Sequence, residues 1–152
     1  MGMSVMLASR GAGAVAGAFA TTLLFGSSKS RLRHGILVGF VLGAGGYIGL
    51  AAAPDIWFAC LGLIVAHAGG SLIWTASTTL LMDQTEDRFR GRVFSAEFAF
   101  SMATLAAVNY TGGFLIDHGM PVRGLAFATG LLVLTPAVAW AYAQRLWRAA
   151  ER

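Results

Sequence analysis

Three ionisable side chains, Arg10, His67 and Glu97, stand inside stretches otherwise free of charge. An ionised group in hydrocarbon is costly, so such residues mark substrate paths, proton relays or interhelical pairs. His67 lies near the midpoint of the longest apolar run, with Gly69, Gly70 and Ser71 beyond it and Thr75, Ser77, Thr78 and Thr79 following. An imidazole titrates near neutral pH and takes either charge state. Two readings of it stand: a neutral ring hydrogen-bonded to a neighbouring helix, or a group lining a water-filled cavity that binds substrate or carries a proton. Arg10 either snorkels to the nearer surface or faces the interior of a bundle. Glu97, one turn after Arg92 and Val93, reads as the ion-pair partner of a nearby arginine, worth about 1 kcal/mol or less if exposed. Asn109, near the middle of its run, reads as a hydrogen-bonding link between helices, with Tyr110 and Thr111 sharing the task.

The remaining chemistry is concentrated in Asp83–Arg92, DQTEDRFRGR, which carries six of the eighteen formal charges. Nothing in the chain matches HExxH, GxSxG or a phosphate-binding glycine loop, and no run holds paired carboxylates. The sequence therefore reads as neither an enzyme nor a cofactor-binding protein. His34, His67 and His118 belong to three different levels of the chain's hydrophobic pattern, which argues against a metal site. The single cysteine, Cys60, cannot form an intrachain disulfide and has no ligand spacing around it. A sequence pI near 10.0 would suit nucleic acid if the cations formed one patch interleaved with base or phosphate readers, but they fall in short clusters between apolar runs.

The elements that must hold these groups are membrane spans. The chain is 57% hydrophobic and 12% charged with a mean hydropathy of +0.68, where a soluble domain is about 25% charged. Apolar runs broken by charge and turn residues give five spans in one domain over 1–152: Val5–Phe25, Ile36–Ala53, Ile56–Met82, Val93–Ile116 and Gly124–Gln144. Ile56–Met82 contains no Asp, Glu, Lys or Arg and as helix is about 40 Å long, more than the hydrocarbon core of about 30 Å requires. Helices follow because period-two alternation is absent and a spanning helix satisfies its own backbone. The breaks are a flexible basic loop at 26–35, Pro54-Asp55, the charged hinge at 83–92, and a turn ending in Pro121. A cleaved signal peptide is disfavoured, because Ala16–Ala20 loosely resembles a cleavage site but no positive n-region precedes it.

Lys29, Arg31 and Arg33, Arg88, Arg90 and Arg92, and Arg145, Arg148 and Arg152 put nine of eleven cations on one side. That bias predicts an outside N-terminus and a cytoplasmic C-terminus, with Trp57, Trp140 and Trp147 near the borders. Gly35, Gly39, Gly43 and Gly46 form one stripe, Gly45 and Gly49 another pair, and Gly13 and Gly17 a third, as close helix packing requires. Pro136 removes a hydrogen bond from the last span and predicts a kink.

The segment Asp87-Arg88-Phe89-Arg90-Gly91-Arg92-Val93-Phe94-Ser95, followed by an apolar run and Gly112-Gly113-Phe114-Leu115-Ile116-Asp117, resembles the C-terminal half of major facilitator superfamily transporters. The likeness is to the bacterial drug and siderophore exporter branch. Met6-Leu7-Ala8-Ser9-Arg10-Gly11-Ala12-Gly13-Ala14 is similar to that family's glycine-rich eighth helix, and the likeness follows the chain in order over nearly its whole length. The resemblance implies an all-α polytopic bundle of helices eight to twelve in the bacterial plasma membrane, part of a secondary transporter that exports small molecules. By it, His67, Asn109 and Arg10 lie on or near the transport path, and Asp87, Arg88, Arg90, Arg92 and Glu97 form a cytoplasmic latch. The family's proline before Asp87 is Glu86 here, and Lys29–Arg33 lacks the full G-x-x-x-D-R-x-G-R pattern. The expected partners are the bilayer, a small-molecule substrate and the absent helices, without which the chain should not transport. The competing expectation is a small membrane adaptor that packs with other helices and moves nothing.

Overall fold

Long apolar runs close their own backbone hydrogen bonds, and nearly all of the described residues are helical. The computed structural model describes residues 2–150, apart from the side chains of Arg148 and Ala150; Arg152, counted above among the cations, lies outside the described residues. The helices are α1 (Gly2–Ala20), α2 (Lys29–Ala52), α3 (Ile56–Gln84), α4 (Asp87–Asp117) and α5 (Val122–Ala150), and a π-helical turn, Thr21–Phe25, extends α1. No strand occurs among the described residues, and all five helices are long and apolar enough to cross a membrane.

Two expectations about the breaks are corrected. The basic stretch expected as a loop over 26–35 is helical from Lys29 onward, and only Gly26, at φ 54°, to Ser28 connects the elements. The charged hinge expected at 83–92 narrows to Thr85-Glu86. Lysine and arginine are good helix formers, and a helix can run past the hydrocarbon while its charged heads stay in water. The short hinge is fastened by the Thr85 hydroxyl donating to the Leu81 carbonyl at 2.7 Å.

Local sequence also sets the other ends. Pro54 stops α2, and the Asp55 carboxylate accepts from the backbone N–H groups of Trp57 (2.9 Å) and Phe58 (3.1 Å), capping α3. Asp55→Ala is expected to lower the unfolding free energy in mixed micelles by about 1 kcal/mol, and Asp55→Ser to restore most of it. An unchanged midpoint in the alanine variant would show that the cap contributes nothing. α4 ends in a Schellman motif: Gly119, at φ 94°, donates to Ile116, and Met120 donates to Leu115 at 2.9 Å.

Packing is a chain of neighbours in which α1 lies on α3, α3 on α2, and α2 on α5. Small residues set how close the axes come. A Cβ on Gly13 or Gly17 would overlap the Ile64 or Ala68 carbonyl, and one on Gly69 would lie 2.5 Å from the Gly39 oxygen. The stripe Gly35, Gly39, Gly43 and Gly46 is buried as expected. The second pair is not, because Gly45 and Gly49 face open space. Leu32, Ile36, Ala76 and Leu80 form the apolar cluster at the basic end of α2 and α3, covered by Phe25, Phe40, Ile73 and Trp140. The Trp140 indole N–H and the Gln144 amide both donate to the Arg33 carbonyl, at 3.0 and 2.6 Å, tying α5 to α2. α4 stands apart. None of its residues is buried, and among the described residues its contacts are few and made with α5 beside the connecting turn.

Candidate functional site

α3 and α5 flank a trough floored by α2, and three cavities follow one another along it. At the end where α3 begins, an open cavity of about 530 Å³ is lined by residues including Met6, Leu50, Leu63, Asp55 and Arg123. In the middle, about 400 Å³ is bounded by Ala14 on α1, Phe40 and Tyr47 on α2, His67, Ser71 and Trp74 on α3, and Val133 on α5. At the basic end, about 390 Å³ lies among Arg33, Ser77, Gln84, Trp140 and Trp147. The trough therefore runs the length of α3, apolar along its walls and polar at each end.

His67 lines the middle cavity. Its Nδ1 lies 3.0 Å from the Leu63 carbonyl, which can only accept, so Nδ1 carries the proton and Nε2 remains available. The expected bond to a neighbouring helix is thus corrected to one within α3. Four residues back on a helix is a carbonyl the ring reaches without crossing to another element. The Tyr47 ring faces the imidazole at a centroid distance of 6.4 Å and an interplanar angle of 54°. His34 and His118 make the same backbone contact in their own helices, at 2.7 and 2.8 Å.

Arg10 flanks the face of α1 that packs on α3. Met6, one turn earlier, lines the outer cavity, and Ala14, one turn later, lines the middle one. Its guanidinium makes no ion pair among the described residues and lies within electrostatic reach of His67. Arg10 itself is exposed and stands on the helix between these two lining residues, outside the packed interface.

The charged segment is paired locally. Arg90 pairs with Asp87 at 2.8 Å and Arg88 with Glu86 at 2.9 Å, the members of each pair lying within three residues of each other. Lys29 pairs with Asp83 at 2.8 Å, joining the start of α2 to the end of α3. Among the described residues Arg92 and Glu97 make no ion pair, so the arginine partner expected for Glu97 is absent. The reason is geometric: among the described residues α4 packs little against the other helices, so none of them brings an arginine to Glu97. With Ser101 and Thr104 it forms a half-exposed to exposed polar stripe at helical spacing. Asn109 also lies on α4, exposed, and links no helices among the described residues.

Sequence reasoning missed Tyr47, Arg123 and Gln144. Tyr47 sits among the glycines of α2, where its spacing gave no distinguishing signal. Arg123 donates to the Ala53 carbonyl at 2.8 Å, and Gln144 reaches Arg33 across 111 residues, so both depend on tertiary placement. No protein-family model, curated protein or solved structure matches the chain.

Proposed function

We propose that this chain is part of a secondary-active transporter of the major facilitator type, exporting small molecules across a bacterial plasma membrane, and that further helices complete it. The observation that carries this reading is the pair of unfilled spaces: the full-length trough between α3 and α5, and the gap that leaves α4 without a buried residue. A transmembrane helix gains its place by close packing and interhelical hydrogen bonds. α4 has neither over most of its 31 residues.

The packing order supplies a second argument. α3 packs on both α1 and α2, while among the described residues no third helix packs on both α4 and α5. One more helix laid against α5 and α4 would give the two sides of the α2–α5 contact the same arrangement, as internal repeats of transporters do. In this reading the ionisable Arg10 and His67 lie along the path, the Thr85-Glu86 hinge sits on the cytoplasmic side, and the N-terminus lies outside. The hinge's arginines move with it as the bundle rocks.

Dye efflux tests the reading. Cells lacking their own exporters are given the chain alone, or the chain together with the reading frame immediately upstream, and loaded with fluorescent dyes of either charge. The chain alone is expected to give no efflux and the pair to give efflux abolished by a protonophore. Efflux by the chain alone, or none from the pair, would refute the proposal.

A further inference from the structure

We propose that Arg10 and His67 form a binding site for an amphipathic organic anion, an aromatic carboxylate, where the outer and middle cavities meet. The inference rests on the transporter reading and names the substrate class of that path.

The register of α1 on α3 fixes the geometry. Gly2, Gly13 and Gly17 meet Ile56, Ile64 and Ala68, so the two helices run in parallel with matched depth. Arg10 then lies about one and a half turns, roughly 9 Å, from the level of His67 toward the end where both helices begin. An extended arginine side chain is long enough to bring its guanidinium toward the level of His67, with one carboxylate between the two groups. Arg10 offers a planar fork of donors that matches a carboxylate in bidentate fashion. His67 has committed Nδ1–H to Leu63, so on proton uptake Nε2 becomes the second donor.

The charge balance favours an anion over a cation. Of the seven Asp and Glu residues, Asp55, Asp83, Glu86, Asp87 and Asp117 lie at helix ends, and Glu151 lies outside the described residues. Only Glu97 lies within a span, on α4 and nearer the opposite end. Among the described residues, the ionisable groups near His67 are Arg10 from α1, which acts on it through charge, and Tyr47 from α2, whose ring neighbours it; α5 contributes Val133 at this level. An arginine within a span and without an ion-pair partner among the described residues is costly, and a bound anion offsets that cost. Phe40, Tyr47 and Trp74 supply aromatic walls for the rest of the ligand.

Equilibrium dialysis of the purified chain in zwitterionic nanodiscs tests this with three probes: 2-naphthoate, neutral 2-naphthamide and a naphthyl trimethylammonium. Naphthoate is expected to bind at least about tenfold more tightly than the amide, as one charge-assisted pair predicts, with the ammonium weakest. Arg10→Gln should bring naphthoate down to the level of the amide, His67→Gln should weaken it less, and Arg10→Lys should recover part of the preference. Circular dichroism checks that each variant is folded, which the exposed position of Arg10 favours. Equal binding of naphthoate and amide, preference for the ammonium, retention of the preference in Arg10→Gln, or no saturable binding would overturn the proposal. Because dialysis reads binding and not flux, a failed efflux experiment would sink the transporter reading while leaving this measurement interpretable.

Discussion

Gly46→Ala is expected to destabilise the bundle by about 2–3 kcal/mol, while Gly45→Ala, one residue away, is expected to stabilise it by about 0.5–1 kcal/mol. A Cβ on Gly46 would overlap the Ala66 backbone and lie 2.7 Å from the Gly62 oxygen, and neither can move without separating α2 from α3. Overpacking of this kind costs about 1–3 kcal/mol. Gly45 meets nothing within 4 Å, so the substitution adds no clash and restores the helix propensity that glycine lacks. Unfolding of both variants in mixed micelles separates the two effects. Similar shifts of the same sign would mean that the α2–α3 contact is looser than the structure has it.

Trp140→Ala is expected to cost about 3 kcal/mol and Trp57→Ala close to nothing. Truncating a large aromatic removes its packing and leaves a cavity, an effect of about 3–5 kcal/mol for a fully enclosed ring. Trp140 is half-buried against the Leu32–Leu80 cluster, meets Trp147 edge-on at 5.5 Å, and donates to the Arg33 carbonyl. Trp57 is 73% exposed and makes no such contact. Trp140→Phe should recover the packing while losing the hydrogen bond, placing it between the wild type and alanine. If the Trp57 variant were the less stable of the two, the packing of α5 on α2 would need revision.

The residues differ in how much of this their sequence revealed. Span existence was legible because hydrophobic length is a property of the segment itself. Asp55 was foreshadowed by the proline before it, and its cap is made with residues two and three positions away. The glycines show where such reading stops. Spacing puts Gly45 and Gly49 on one face as surely as Gly39 and Gly46, yet it cannot say which face has a neighbour. Glu97 failed for the same reason, since its partner depended on where α4 stands. The helix boundaries at 29 and 84–87 were missed because hydropathy marks where lipid contact ends, whereas helix continues as long as the backbone can pair.

The order of helix contacts also has a meaning in time. α1 packs on α3 rather than on α2, and α3 ends about sixty residues after α1 and its π-turn are complete. At roughly 5–20 residues per second of synthesis, α1 waits about 3–12 s for its partner. During that interval Gly13 and Gly17 have no backbone to rest on and Arg10 has no bundle beside it. For those seconds the packing that fixes α1 in the finished protein does not yet exist.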